Sequence, residues 1–136
     1  MIRLLFACTF CLLLTGCGMT GCNEEYFQSA SGITLPEGTI RVDCFDNLEW
    51  RVEATFQLPQ VDLEDFLSEN AFEKMEGSLT PDSLFYLTKE HRQIPNNGHL
   101  YSITYSTPAR THWRYVLNKQ TGKLWTFINY PDWGGT

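Results

Sequence analysis

At 136 residues the chain has room for a leader and one domain of roughly 100 residues. Its formal net charge of −6 at pH 7 disfavours nucleic acid and anionic lipid headgroups as partners, because both require basic patches. Hydrophobic residues make up 43% and aromatics 14%, enough for a real core, yet no stretch reaches the roughly 18 apolar residues of a spanning helix.

The chain opens with "MIRLLFACTFCLLLTG" over residues 1–16. Arg3 supplies a positive start, Leu4 to Leu14 form an apolar run broken by Thr9, and Thr15 and Gly16 are small enough for a peptidase cleft. This is the layout of a secretory signal peptide, too short and wrongly flanked for a transmembrane helix. The run ends in Leu14-Thr15-Gly16-Cys17, which resembles the lipobox of bacterial lipoproteins. The resemblance covers the leader only; the rest of the chain matches no family by its motifs. It implies that the Cys17 thiolate receives diacylglycerol and that cleavage before Cys17 frees its amine for a further acyl chain such as palmitate. Cys22 also follows a Met-Thr-Gly run, but it lies beyond the apolar stretch. Removal of residues 1–16 takes away Arg3, so the mature charge becomes −6 − 1 = −7. Two or three acyl chains, at roughly 0.8 kcal/mol per buried CH₂, anchor a protein almost irreversibly. Gly18 stands where the enterobacterial family uses Asp to retain a lipoprotein at the inner membrane. The expected location is therefore the cell envelope, at the outer membrane facing the periplasm if the source has one.

Cys8 and Cys11 leave with the signal, so their C-x-x-C spacing is no redox or zinc motif. Cys22 and Cys44 remain, an even pair in an oxidising compartment. Two arrangements are open. A disulfide would staple the tether to the first strand, or Cys44 is a small buried apolar residue and Cys22 is free.

Residues 17–35 carry Gly, Ser, Asn and Glu and few apolar side chains, which predicts a lipidated, flexible tether leading into a single domain over 36–136. After the turn at Pro36-Glu37-Gly38, "TIRVDCFD" alternates, with Ile40, Val42 and Cys44 facing one way and Arg41 and Asp43 the other. "EWRVEATFQL" alternates more strongly. Trp50, Val52, Ala54, Phe56 and Leu58 are expected inside, and Glu49, Arg51, Glu53, Thr55 and Gln57 outside, as in a half-buried hairpin. Pro59 ends the strand. Asp62 as N-cap and the stripe Leu63, Phe66, Leu67 predict an amphipathic helix over 62–73. Thr80-Pro81-Asp82 resembles a second helix start, near 81–87. "IPNNGH" at 94–99 reads as a loop, and three strands follow in "HLYSITYS", "THWRYVLN" and "KLWTFINY". Tyr101, Ile103 and Tyr105 share one face of the first, and Trp113, Tyr115 and Leu117 one face of the second. The last is apolar on both faces, with Gly122 in the turn before it. The order β-β-α-β-β-β predicts an α+β fold: a curved antiparallel sheet of about five strands with one or two helices on one face.

Signs of chemistry are sparse. His91, His99 and His112 share no short ligand spacing, no G-x-S-x-G elbow or Gly-rich phosphate loop occurs, and Asp62, Glu64 and Asp65 read as helix-start acids. No cofactor or metal is implied. The expected function is non-enzymatic: a membrane-anchored domain that binds another envelope or secreted protein. Aromatics crowd the last 36 residues, and Trp113, Tyr115, Trp125 and Phe127 are the candidate binding side chains. Exposed on a sheet they would serve a protein partner or, as the alternative function, a small ligand or glycan. Otherwise they form a second small core under the C-terminal tail or the 74–98 segment. Charge is uneven too: residues 37–90 hold 13 acids and 4 bases, and 91–136 hold 1 acid and 5 bases. That asymmetry suits either pairing between neighbouring elements or an acidic face for a basic partner.

Overall fold

The computed structural model describes residues 22–48, 51–76, 94, 98–106 and 112–129. Its first element is a helix, α1 (Glu24–Ser31), inside the segment expected to be a flexible tether. The local chemistry explains it. Asn23 caps the N-terminus, its Oδ1 accepting from the Tyr26 N–H at 2.6 Å, and Glu24 and Glu25 sit against the positive end of the helix dipole. Gly32, at φ 74°, takes the left-handed position that closes the helix, and its N–H donates to the Gln28 carbonyl. Phe27 is fully buried and Ile33 and Leu35 nearly so, so this stretch is part of the domain core.

Six strands form one open antiparallel sheet. In chain order they are β1 (Ile40–Asp46), β2 (Arg51–Gln57), β3 (Glu73–Lys74), β4 (Leu100–Ser106), β5 (His112–Asn118) and β6 (Lys123–Asn129). The spatial order is β1-β2-β6-β5-β4-β3, which puts β2 and β6 in the middle and β1 and the two-residue β3 at the edges. A 3-10 turn (Gln60–Asp62) and α2 (Leu63–Glu69) follow β2. The fold is α+β, as expected, with one short strand more than the sequence pattern announced.

The register assigns the faces. Phe56, Leu124, Leu117 and Tyr101 are opposite one another across β2, β6, β5 and β4, and so are Ala54, Thr126, Tyr115 and Ile103. Both helices pack on this face: Phe27 of α1 meets Phe56 edge to face with ring centroids 5.4 Å apart, and Leu63, Phe66 and Leu67 of α2 join the same cluster.

The α2 helix is shorter than the 62–73 expected. The Asp62 side chain makes no cap; its residue ends the 3-10 turn. Asn70 Nδ2 donates to the Phe66 carbonyl, and Ala71 at φ 52° turns the chain out of the helix before β3. The helix expected near 81–87 and residues 95–97 of the 94–99 loop lie outside the described residues. The β5–β6 turn is as anticipated. Asn118 Oδ1 accepts from the N–H groups of Gln120 and Thr121, and Gly122 takes φ 71°. A Cβ at Gly122 would lie 2.8 Å from the Leu58 carbonyl, so only glycine fits.

Two face assignments change. In β1 a bulge between Arg41 and Asp43 breaks the alternation, so Ile40 and Cys44 fall on opposite faces. Ile40 and Val42 are exposed, and Cys44 alone of the expected inward set is partly buried against the core. In β2 the expected outer face is inside: Glu53 is 0% exposed and Thr55 1%. A second cluster explains why this side is closed. Leu100, Val116 and Trp125 pack with Met75 and Ile94 on the face opposite the helices.

Candidate functional site

Cys17, the expected acylation site, lies outside the described residues, as does the whole leader. Cys22 and Cys44 are joined by a disulfide, with Cα atoms 5.8 Å apart. The bond ties the start of α1 to the middle of β1, and the Arg41 guanidinium donates to the Cys22 carbonyl beside it. Of the two arrangements open for these cysteines, the structure adopts the staple. It joins positions 22 apart in the sequence.

The aromatic candidates do not form a surface. Trp113 is 5% exposed and Tyr115 1%, both under the helices, and the Tyr115 hydroxyl donates to the Phe27 carbonyl at 2.9 Å. Burial pushes the Tyr115 phenol well above its ordinary pKa of 10.0, against a weaker opposing hydrogen bond from Ser31. Trp125, at 4%, belongs to the opposite cluster, a second small core against which Met75 and Ile94 pack. Phe127 is half-buried and stands between Glu53 and Arg114 in the register. Trp113, Tyr115 and Trp125 are core because β5 and β6 are interior strands of the sheet, covered on both faces.

The row around Phe127 is ionic as well as aromatic. Arg51 Nε lies 2.5 Å from Glu53 Oε1, and the same guanidinium sits over the Phe45 ring at 5.2 Å. Burial of Arg114 lowers its pKa from the ordinary value. A charge as deep as Glu53 is tolerated only because a cation meets it there. On the helix side, Lys119 Nζ reaches Glu64 Oε1 at 2.6 Å, so part of the charge asymmetry in the sequence resolves into pairing between neighbouring elements. Where β4 ends and β5 begins, Ser106 Oγ and His112 Nδ1 are 2.6 Å apart, exposed, and tie the two strands together. His99 is exposed, and His91 lies outside the described residues.

Two surface features remain. The first is an open groove of about 570 Å³ between residues 34–37 and α2, lined by buried Leu35 and Phe66 and by the carboxylates of Glu37, Asp62, Asp65 and Glu69. The second is the β1 edge, where Ile40, Val42, Phe45 and, at the tip of the hairpin, Leu48 are 64%, 55%, 44% and 79% exposed. Sequence reasoning missed both. The groove depends on residues 34–37 packing beside α2, which the tether reading concealed. The exposed edge depends on a bulge that binary patterning does not reveal. No helix among the described residues is long and apolar enough to cross a membrane.

No protein-family model matches this chain, and no curated protein or solved structure shows significant similarity to it.

Proposed function

We propose that the chain is a lipid-anchored protein of the cell envelope whose domain works by binding another envelope or secreted protein. One observation carries the reading: the lipobox-like Cys17 stands five residues before a cysteine that is disulfide-bonded to the core sheet. A disulfide persists where the compartment is oxidising, so the Cys22–Cys44 bond supports export, the step the leader would direct. In a cell with two membranes, Gly18 after the acylated cysteine favours the outer one, with the domain in the periplasm.

For the binding half of the reading, the acidic groove beside α2 is the supporting feature. Its apolar floor and four carboxylates suit a basic, partly apolar segment of a protein partner, and a net charge of −7 in the mature chain would steer such a partner in. Trp113, Tyr115 and Trp125, expected to serve either a protein partner or a glycan, are inside, so neither reading rests on them.

Metabolic labelling with an alkyne palmitate analogue tests the anchor. Wild type should take up label and Cys17→Ser should not; equal label in both would sink the lipoprotein reading. Photo-crosslinking from position 65 in the native host tests the partner. A discrete adduct lost in Glu37→Lys is expected, and an adduct indifferent to that reversal argues against the groove.

A further inference from the structure

We infer that the β1 edge is a membrane-facing surface: the exposed side chains of Ile40, Val42, Phe45 and Leu48 rest in the interface of a zwitterionic phospholipid bilayer. This placement rests on the acylation of Cys17 proposed above.

Chain length limits where the edge can be. Four residues separate Cys17 from Cys22, so the five Cα-to-Cα steps between them span at most about 18 Å even when fully extended. The Cys22 Cα lies only 5.8 Å from that of Cys44, in the middle of β1. The disulfide therefore brings β1, together with the start of α1, beside the acyl chains. Without it the first core contacts after the anchor would be those of Tyr26 and Phe27, reached through the rest of the N-terminal segment.

The composition of the edge suits that neighbour. Four of the six large apolar side chains that are exposed among the described residues are on β1 and its tip; Val61 and Tyr105 are the others. Their concentration on the strand nearest the anchor is what a lipid interface would select. The backbone is prepared for the same setting. The Cys44 N–H donates to Asp43 Oδ1 at 2.8 Å and the Leu48 N–H to Asp46 Oδ1 at 2.7 Å, so these two donors are met by the chain's own carboxylates. Donors already satisfied are poorly suited to adding a partner strand and well suited to a low-dielectric boundary. The carboxylates also set the lipid class: Asp43, exposed on the same strand, opposes an anionic headgroup and is tolerated among zwitterionic ones.

Nitroxide depth measurements on the full-length acylated protein in phosphatidylcholine vesicles decide the matter. Single cysteines at Ile40→Cys and Leu48→Cys carry the label, since Cys22 and Cys44 are paired and Cys17 would be acylated. Thr104→Cys, exposed on β4 four strands away, is the control. Labels at 40 and 48 should show an oxygen-to-nickel accessibility ratio severalfold above that at 104. The ratio should fall when anionic lipid is added. A vesicle-bound, acylated protein with all three labels equally open to aqueous nickel overturns the membrane-facing edge and leaves the anchor standing. Protein that neither takes up palmitate nor floats with vesicles overturns the anchor and the edge together. Dipolar broadening between labels at 40 would assign the edge to a second copy of the chain instead.

Discussion

β1 and β2 are neighbours of equal length, and their sequences look alike: "IRVDCFD" and "RVEATFQ" each alternate apolar and polar residues. They end in opposite environments. β1 is exposed over its first four residues, whereas β2 is buried at five consecutive positions. The difference lies in position. β2 pairs with β1 on one side and β6 on the other, with the helices above and the Trp125 cluster below. Among the described residues β1 has one partner, and it carries a bulge. Alternation announces a strand; the number of neighbours decides how much of it is inside.

Four substitutions probe that contrast. The largest effect belongs to Phe56→Ala on β2, which removes a fully buried ring packed on Phe27 and should cost about 3–5 kcal/mol in urea denaturation. A cost near that of an edge residue would mean β2 is not central. Glu53→Ala comes next. On a half-exposed strand it would be nearly neutral, but here it leaves Arg51 facing a buried gap, and about 3 kcal/mol should be lost. A neutral result would place Glu53 in solvent and undo the two-faced burial of β2.

Tyr115→Phe tests how β5 holds α1. It strips the Phe27 carbonyl of the donated hydroxyl bond and should cost about 1 kcal/mol. The pH dependence has a definite sign. The folded-state pKa is raised, so the phenol's contribution is whole below the ordinary value of 10.0 and is lost as pH rises above it, the unfolded chain ionising first. Stability measured from pH 9 to 11 should therefore fall more steeply in wild type than in Tyr115→Phe; parallel curves would remove the buried hydroxyl from the account. The smallest effect is expected on β1, where Val42→Thr should change stability by less than about 0.5 kcal/mol. A loss comparable to Phe56→Ala would show the edge to be covered.

Much of the sheet was legible in the chain. The alternation in 101–105 and 113–117 gave strands with the correct facing, and a strand apolar on both faces was legible in 124–128, because interior strands of a meander keep strict register. The helix α1 has its own sequence signal: Asn23, two acids, Tyr26, Phe27, Ala30 and Gly32 make a capped amphipathic helix in ten residues. Low apolar content concealed it, since Phe27 supplies the only fully buried side chain of the helix. The burial of Glu53 was not legible. It depends on strand order, with β6 inserted beside β2, and on a second core assembled from Met75, Ile94 and residues far along the chain. The groove inherits the same difficulty, because its walls come from segments whose adjacency is tertiary.

The disulfide also sets how the domain bears load. Tension arriving along the chain from upstream of Cys22 meets a branch: one path runs through α1, Ile33 and Leu35 to β1, and the other crosses directly from Cys22 to Cys44. The covalent shortcut is the shorter and stiffer path, so residues 23–43 are mechanically bypassed. A pull that would otherwise peel α1 from Phe56 and Tyr115 is delivered to β1 instead, and is resisted by its ladder with β2. Reduction of that one bond would leave every strand in place, yet move the first point of mechanical failure from the sheet to the helix.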